Sequence, residues 1–326
     1  MTTLSKTTLR RAGPGDSVGR TARGDKGRRR RSPSGSGWTP YLFLAPGLAL
    51  FAVVQALPLL QEARLSLTRT ALTSPNDNAW VGLDNFVEIF ASADFKRTLV
   101  TTGIYLAVCV LGAVGVGLVV ALLLNGNYRG RGVARAVVTV PWAAPGVAVA
   151  LVMTWMLNAQ YGIVNRALGA VGLAPPGGAI LESPKFALPA ILVITVWQLF
   201  PFNAVVLLSA LQSVPKEVTE AAMMDGASTR WIFRVATWPV IAPTVSLLTV
   251  LNAVWAIRRF DLIWVTTKGG PVGATETLVI DLYSNAFELG NLGKAAAMGV
   301  VGVVISLVLV GASMLLSRRS DQGDAR

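Results

Sequence analysis

The chain has 326 residues, of which 53% are hydrophobic and only 14% are charged, with a mean hydropathy of +0.56. A soluble domain carries about 25% charged residues, so too few charges are present here to coat a water-exposed surface. With no His and a single Cys there is no histidine base, no His-ligated metal, no Ser-His-Asp triad and no intrachain disulfide, and no metal or catalytic site is expected.

The net charge of +12 is unevenly spread, because residues 1–37 hold ten Lys and Arg against Asp16 and Asp25. This tail is rich in Gly, Ser, Thr and Arg and has almost nothing apolar to bury, so it is expected to be a disordered basic segment. Its role is read as fixing topology on the cytoplasmic side, rather than binding nucleic acid. Cys109 sits in an apolar run and reads as a small buried hydrophobe.

A membrane span needs about 20 mostly apolar residues. Six such stretches follow the tail, at roughly 41–61, 99–124, 136–157, 187–211, 235–257 and 295–317, and none contains Asp, Glu, Lys or Arg. The expected fold class is therefore an all-α, polytopic membrane protein with six transmembrane helices, residues 38–326 forming one transmembrane domain. Pro46, Pro58, Pro141, Pro145, Pro189, Pro201, Pro239 and Pro243 lie within these stretches or at their ends, so kinks are expected. Arg129, Arg131 and Arg135 follow the second span, and Arg318, Arg319 and Arg326 follow the last, which puts both termini inside. The pair Arg258 and Arg259 after the fifth span fits this scheme least well.

Between the first two spans, 68–98 reads as a short amphipathic segment along the membrane face, carrying Trp80, Asp84, Asn85 and Phe86. Charge-free spans argue against proton coupling and voltage sensing, and also against an anionic substrate. No G-x-x-x-x-G-K-[ST] phosphate loop is present, so any nucleotide energy must come from another chain.

Within 187–257 two features stand out. In the spans, Trp197, Gln198, Phe202 and Asn203 surround the Pro201 kink, and Asn252 and Trp255 lie in the fifth stretch. Aromatic faces beside amides suit a sugar, whose ring presents C–H patches next to O–H fans. Packed aromatics and amides bonding a neighbouring helix explain the same residues. Between the spans, the loop 213–233 is expected to form a short helix over 215–225: Pro215 suits the first turn, Glu217 and Glu220 favour the N-terminus, and Gly226 supplies a left-handed stop. A second helical run should start near Ser228. Such a capped knob outside the bilayer fits either a partner's cleft or the membrane interface.

Glu220, Ala221 and Ala222, then Asp225, Gly226 and Ala227, then Pro239 thirteen residues after the glycine, resemble the "EAA" loop of permease subunits of binding-protein-dependent ABC importers. The similarity extends from Tyr41–Pro46 through Trp80–Phe86, Asn125–Arg135, Pro141–Trp142, Leu211–Pro215 and Phe260–Asp261 to Gly269–Pro271 and Ala274–Thr277, the pattern of the carbohydrate-uptake, maltose and glycerol-phosphate type. Met223–Met224, Trp238–Pro239 and the short Lys268–Gly270 run depart from that pattern.

The resemblance implies the type I permease fold in a bacterial plasma membrane and no enzymatic activity or cofactor. It also implies a second permease subunit in a heterodimer, two ATPase subunits and an extracytoplasmic solute-binding protein. The cargo would be a sugar, with lipid the other partner. It places Glu220, Ala221, Ala222, Asp225, Gly226 and Ala227 in a helix that couples to the ATPase. The alternatives are a secondary carrier, or a non-transport integral membrane enzyme or assembly protein. Each lacks its expected signature, coupling charges and internal repeats for the first and an intramembrane acid, base or metal cluster for an enzyme.

Overall fold

The computed structural model describes residues 39–175 and 177–323, with side chains at 41–74, 78–175 and 177–312; the basic tail 1–37 lies outside them. Contacts divide the chain into two units, 1–53 and 54–326. In the first, the described part is the helix α1 (Thr39–Phe51), whose apolar side chains are exposed as a lipid-facing surface requires.

The second unit runs through α2 (Leu57–Leu65), β1 (Thr68–Ala71), β2 (Ser74–Trp80), α3 (Asp84–Ala91), α4 (Ala93–Asn125), α5 (Arg131–Ala143), α6 (Gly146–Met156) and α7 (Ile163–Ala170). It continues with α8 (Ala187–Gln212), α9 (Lys216–Met224), α10 (Thr229–Ile232), α11 (Trp238–Ile257), α12 (Asp261–Thr266), α13 (Leu278–Tyr283) and α14 (Leu292–Gly323). Among the described residues five stretches are long and apolar enough to cross a membrane: Tyr41–Leu65, Ala93–Asn125, Ala187–Gln212, Thr229–Ile257 and Leu292–Ala312. The sixth stretch differs from the single helix expected over 136–157. It is the pair α5 and α6, bent by 94°.

The cause of that break is local. Pro145 forces Ala144 out of the helical region, and Ala144 sits at φ −76°, ψ 134°. Pro145 itself is extended at ψ 135°, and a new helix begins at Gly146. Pro46, Pro201 and Pro243, by contrast, are retained inside α1, α8 and α11. Proline is tolerated inside a membrane helix where neighbouring helices or local adjustments satisfy the freed groups.

The centre of the second unit is α4 packed along α8, with α11 closing one side. Small residues allow this approach. A Cβ at Gly117 would lie 2.6 Å from the Cβ of Asn203, and one at Gly112 would lie 2.7 Å from a methyl of Val196. Above and below, Val114, Ala121, Leu207, Leu211, Ile241 and Leu248 form one buried cluster, and Tyr105, Cys109, Ile191 and Ile263 belong to another. The Tyr105 hydroxyl meets Thr195 Oγ1 at 3.0 Å inside this interface. With little hydrophobic drive between helices in lipid, such close packing and interhelical hydrogen bonds hold the bundle.

The fold is not purely helical. The segment after the first span folds into an antiparallel hairpin, with Thr68 opposite Trp80 and Arg69 opposite Ala79. Asn85 of α3 pins it, donating from Nδ2 to the carbonyls of Ser66 at 2.8 Å and Thr68 at 2.9 Å. Lys294 of α14 meets Glu88 of α3 at 2.6 Å, and this bond together with the ammonium charge holds the Glu88 carboxyl below the usual carboxylate range. The amphipathic character read for 68–98 resides in α3, whose Asn85 and Ile89 are buried while Val87 is exposed.

Replacing Gly117 by Val should force α4 and α8 apart and lower stability by about 1–3 kcal/mol, the usual cost of overpacking. The readout is the melting midpoint of the detergent-solubilised protein, with Gly115→Val as control because a Cβ there meets nothing within 4 Å.

Candidate functional site

The loop between α8 and α11 forms as its residues dictate. Pro215 caps α9 in an extended conformation at ψ 125°, and α9 covers Lys216–Met224, one residue inside each of the limits expected for the short helix. Gly226 takes φ 76°, in the left-handed region where a side chain is strained. Two bonds close the helix end: Ala227 N–H donates to the Ala222 carbonyl and Gly226 N–H to the Met223 carbonyl, both at 3.0 Å. This is a Schellman stop. Ser228 then starts α10, accepting from the Trp231 N–H at 3.4 Å.

The result is a rigid helix with no buried residue. Met223 is 62% exposed and Met224 88%, an unusual exposure for apolar side chains held at fixed positions. Between α9 and α10 lies an open groove of about 900 Å³, lined by Glu217, Ala221, Ala222, Asp225, Ala227 and Trp231 among others. Five of the residues singled out in the sequence, Glu220, Ala221, Ala222, Asp225 and Ala227, thus lie on or beside one short helix, and Gly226 ends it.

The amide and aromatic residues proposed for a translocation path separate into two groups. Asn203 of α8 and Asn252 of α11 are fully buried and face each other. Asn252 Nδ2 donates to Asn203 Oδ1 at 2.8 Å and Asn203 Nδ2 to Asn252 Oδ1 at 3.3 Å, while their remaining N–H groups reach the carbonyls of Leu248 and Leu199. Every amide hydrogen of the pair is used, which makes it a clamp between two spans.

Phe202 and Trp255 stand beside each other with centroids 5.1 Å apart, and Trp142 of α5 completes the row at 5.4 Å from Phe202. One turn from Phe202, Gln198 donates to the Ala144 carbonyl at 3.1 Å, the group released by the α5–α6 break. Arg259, one turn beyond Trp255, donates to the Gln198 side-chain oxygen. Arg259 also pairs with Asp261 at 3.6 Å, and a Cβ at Gly146 would collide with the Asp261 carboxylate. Trp197 is exposed, and no ring contact joins it to this row among the described residues.

Ala144 and Arg259 were not read from the sequence as partners of Gln198, nor Trp142 as a neighbour of Phe202. The signal was present for Arg259, since a cation after the fifth span fits the positive-inside scheme poorly. The structure gives that cation partners within the protein, Asp261 and Gln198, one turn beyond Trp255.

At another place in the unit, Glu276 is half-buried and its carboxyl lies above the usual carboxylate range, through burial first and then the charges of Asp281 and Asp94. Asp281 is raised by burial, opposed by hydrogen bonds from Thr98 and Asn285. Among the described residues no group of His, Cys, Asp and Glu is arranged to hold a metal ion.

Residues 113–322 match the family described as binding-protein-dependent transport system inner membrane component. The chain belongs to this family. It is 36% identical over 287 residues to a probable ABC transporter permease protein of Brucella suis, covering 87% of this chain and 98% of that one. It is 34% identical to the trehalose/maltose transport system permease protein of Thermococcus litoralis, over 82% of this chain and 89% of the relative. The sulfoquinovosyl glycerol transport system permease protein of Agrobacterium fabrum is 29% identical, over 86% and 90%. Among solved structures, a bacterial alginate ABC transporter in complex with an alginate pentasaccharide-bound periplasmic protein matches with a TM-score of 0.74 at 24% identity, covering 86% of this chain and 94% of that one. The chain is thus a non-enzymatic, multi-pass permease subunit of the type I fold.

Two predictions follow from this geometry. A double-mutant cycle with Asn203→Leu and Asn252→Leu should give a coupling of about 0.5–1.5 kcal/mol in melting experiments, the range for interhelical polar pairs in membranes. Because burial raises the folded pKa of Glu276, its ionisation opposes folding above the ordinary carboxylate range and ceases to do so as pH falls. Glu276→Gln should therefore raise the melting midpoint at neutral pH and leave it unchanged near about pH 4.

Proposed function

We propose that this permease carries a sugar, of di- or oligosaccharide size, inward across the bacterial plasma membrane, driven by ATP hydrolysis on separate subunits that grip the α9 loop. In this reading both termini and the α9 loop are cytoplasmic, in keeping with Arg129, Arg131 and Arg135 near that end. The assembly comprises two ATPase subunits, a second, non-identical permease and an extracytoplasmic solute-binding protein.

The observation that carries the reading is α9 itself. A short helix stopped at Gly226, exposed along its length and joined through α10 to a membrane-crossing helix, is built to transmit a push rather than to bury a core. Glu220 and Asp225 offer charge to a partner groove. Ala221 and Ala222 let a backbone come close, and Met223 and Met224 provide adaptable apolar contact. Rigid attachment of α9 to α8 and α11 lets closure of the ATPases swing those spans between inward-open and outward-open.

The sugar assignment is supported by the aromatic row of Trp142, Phe202 and Trp255 next to the amide of Gln198, and by relatives that handle trehalose and maltose or sulfoquinovosyl glycerol. Phe202 and Trp255 would stack on the ring's C–H faces, with Gln198 and Arg259 exchanging their mutual bond for bonds to hydroxyls. Asn203 and Asn252 would hold α8 and α11 in register behind that surface, and Trp197 would line the path's outer edge.

Glu220→Lys and Gly226→Val should each abolish uptake while the protein remains in the membrane at normal level. The first reverses a contact charge, and the second places a β-branched residue at φ 76°. Normal uptake by both variants would overturn the coupling assignment. Trp255→Ala should lower uptake by about tenfold with its ATPase partner still co-purifying, as loss of one ring-stacking contact predicts.

A further inference from the structure

A second cavity, of about 780 Å³, lies between α9, α10 with the turn that follows it, and the ends of α4, α5 and α8, reached by the other face of α9. Arg131, Arg135 and Lys216 line it, and no Asp or Glu does. The carboxylates of Glu217 and Asp225 line the α9–α10 groove instead. None of the three cations forms an ion pair among the described residues. Arg135 gives one N–H to the Leu124 carbonyl at 3.2 Å, and its Nε is buried with no partner.

Tertiary structure has therefore gathered like charges from α5 and α9, which repel one another until an anion arrives. Arg131 and Lys216 are also the first residues of their helices, so free backbone N–H groups and the positive ends of two helix dipoles reinforce the field. Guanidinium groups bind phosphate oxygens in pairs, and Asn125 and Thr219 add neutral polar groups to the lining.

We infer that this cavity binds a phosphate-bearing anion. The two sources of that chemistry are the headgroup of an anionic phospholipid and free inorganic phosphate. The location at the ends of membrane-crossing helices favours the lipid, as for other basic pockets between such helices. The inference rests on the α9 loop lying at the membrane surface, and not on its contact with an ATPase. A bound headgroup would brace α9 against α5 from behind, on the face opposite the α9–α10 groove.

The test uses the full transporter complex in mild detergent, stripped of lipid and titrated with phosphatidylglycerol, phosphatidylcholine or inorganic phosphate. Binding is read by native mass spectrometry and by the melting midpoint. Phosphatidylglycerol should bind and stabilise where phosphatidylcholine does not. Arg131→Gln and Lys216→Gln should weaken that binding by about fivefold each, the effect of one charge near a membrane surface. Arg135 is kept because it also holds the Leu124 carbonyl. Displacement of the lipid by inorganic phosphate would make the free ion a competing occupant of the same site; no displacement would leave the headgroup as the ligand. Equal binding to wild type and to the double variant, with an unchanged unliganded midpoint, would overturn the proposal, as would no response to either anion. Neither readout involves uptake, so failure of the coupling assignment leaves this result separately interpretable.

Discussion

Every backbone group within lipid must find a partner inside the protein, and the break between α5 and α6 is where that constraint is most demanding. Pro145 ends α5 and leaves the Ala144 carbonyl without its helical donor. Gln198 supplies the replacement from α8, Arg259 satisfies the other end of Gln198, and Asp261 balances Arg259. One released carbonyl is thus linked through three side chains to the far end of α11. The close approach of α4 and α8 that holds α8 in place depends in turn on glycines where a Cβ would collide.

This linkage brings the groups that close the break next to the residues proposed for transport. The aromatic row lies one turn from Gln198 on α8 and one turn from Arg259 on α11, so the groups that close the break stand beside the surface proposed for the sugar. A path built on polar groups already bonded to each other can exchange those bonds for substrate bonds with little net loss, because each hydrogen bond broken is matched by one formed. Asn203, next to Phe202, and Asn252, one turn before Trp255, bond to each other, and in the proposed path they would act as a fixed reference against which the rest can move.

The two faces of α9 divide the labour at the other end. Its carboxylates and small residues line the α9–α10 groove, whereas Lys216 and Thr219 turn toward the cation-lined cavity. In the coupling role proposed for it, α9 would have to be stiff along the direction of force, and both its caps and its electrostatic surroundings bear on that stiffness. The Schellman stop at Gly226 and the serine cap at Ser228 leave little freedom in the turn between α9 and α10.

Much of this was legible in the residues alone. The positions of five long apolar helices follow from charge-free runs, since length and apolarity are local properties. The short helix α9 was legible for the same reason, because Pro215, Gly226 and Ser228 act within one turn of themselves. What depended on the tertiary structure was the outcome at each proline: Pro145 lies at a break while Pro201 and Pro243 stay inside their helices, and at the break Gln198 from a distant segment bonds the Ala144 carbonyl. The hairpin over 68–80 likewise escaped notice, because strands so short gain their stability from Asn85 rather than from their own pattern. The roles of Asn203, Asn252, Gln198 and Arg259 were undecided until their partners were known, since an amide at membrane depth announces that it needs a hydrogen bond but not who supplies it.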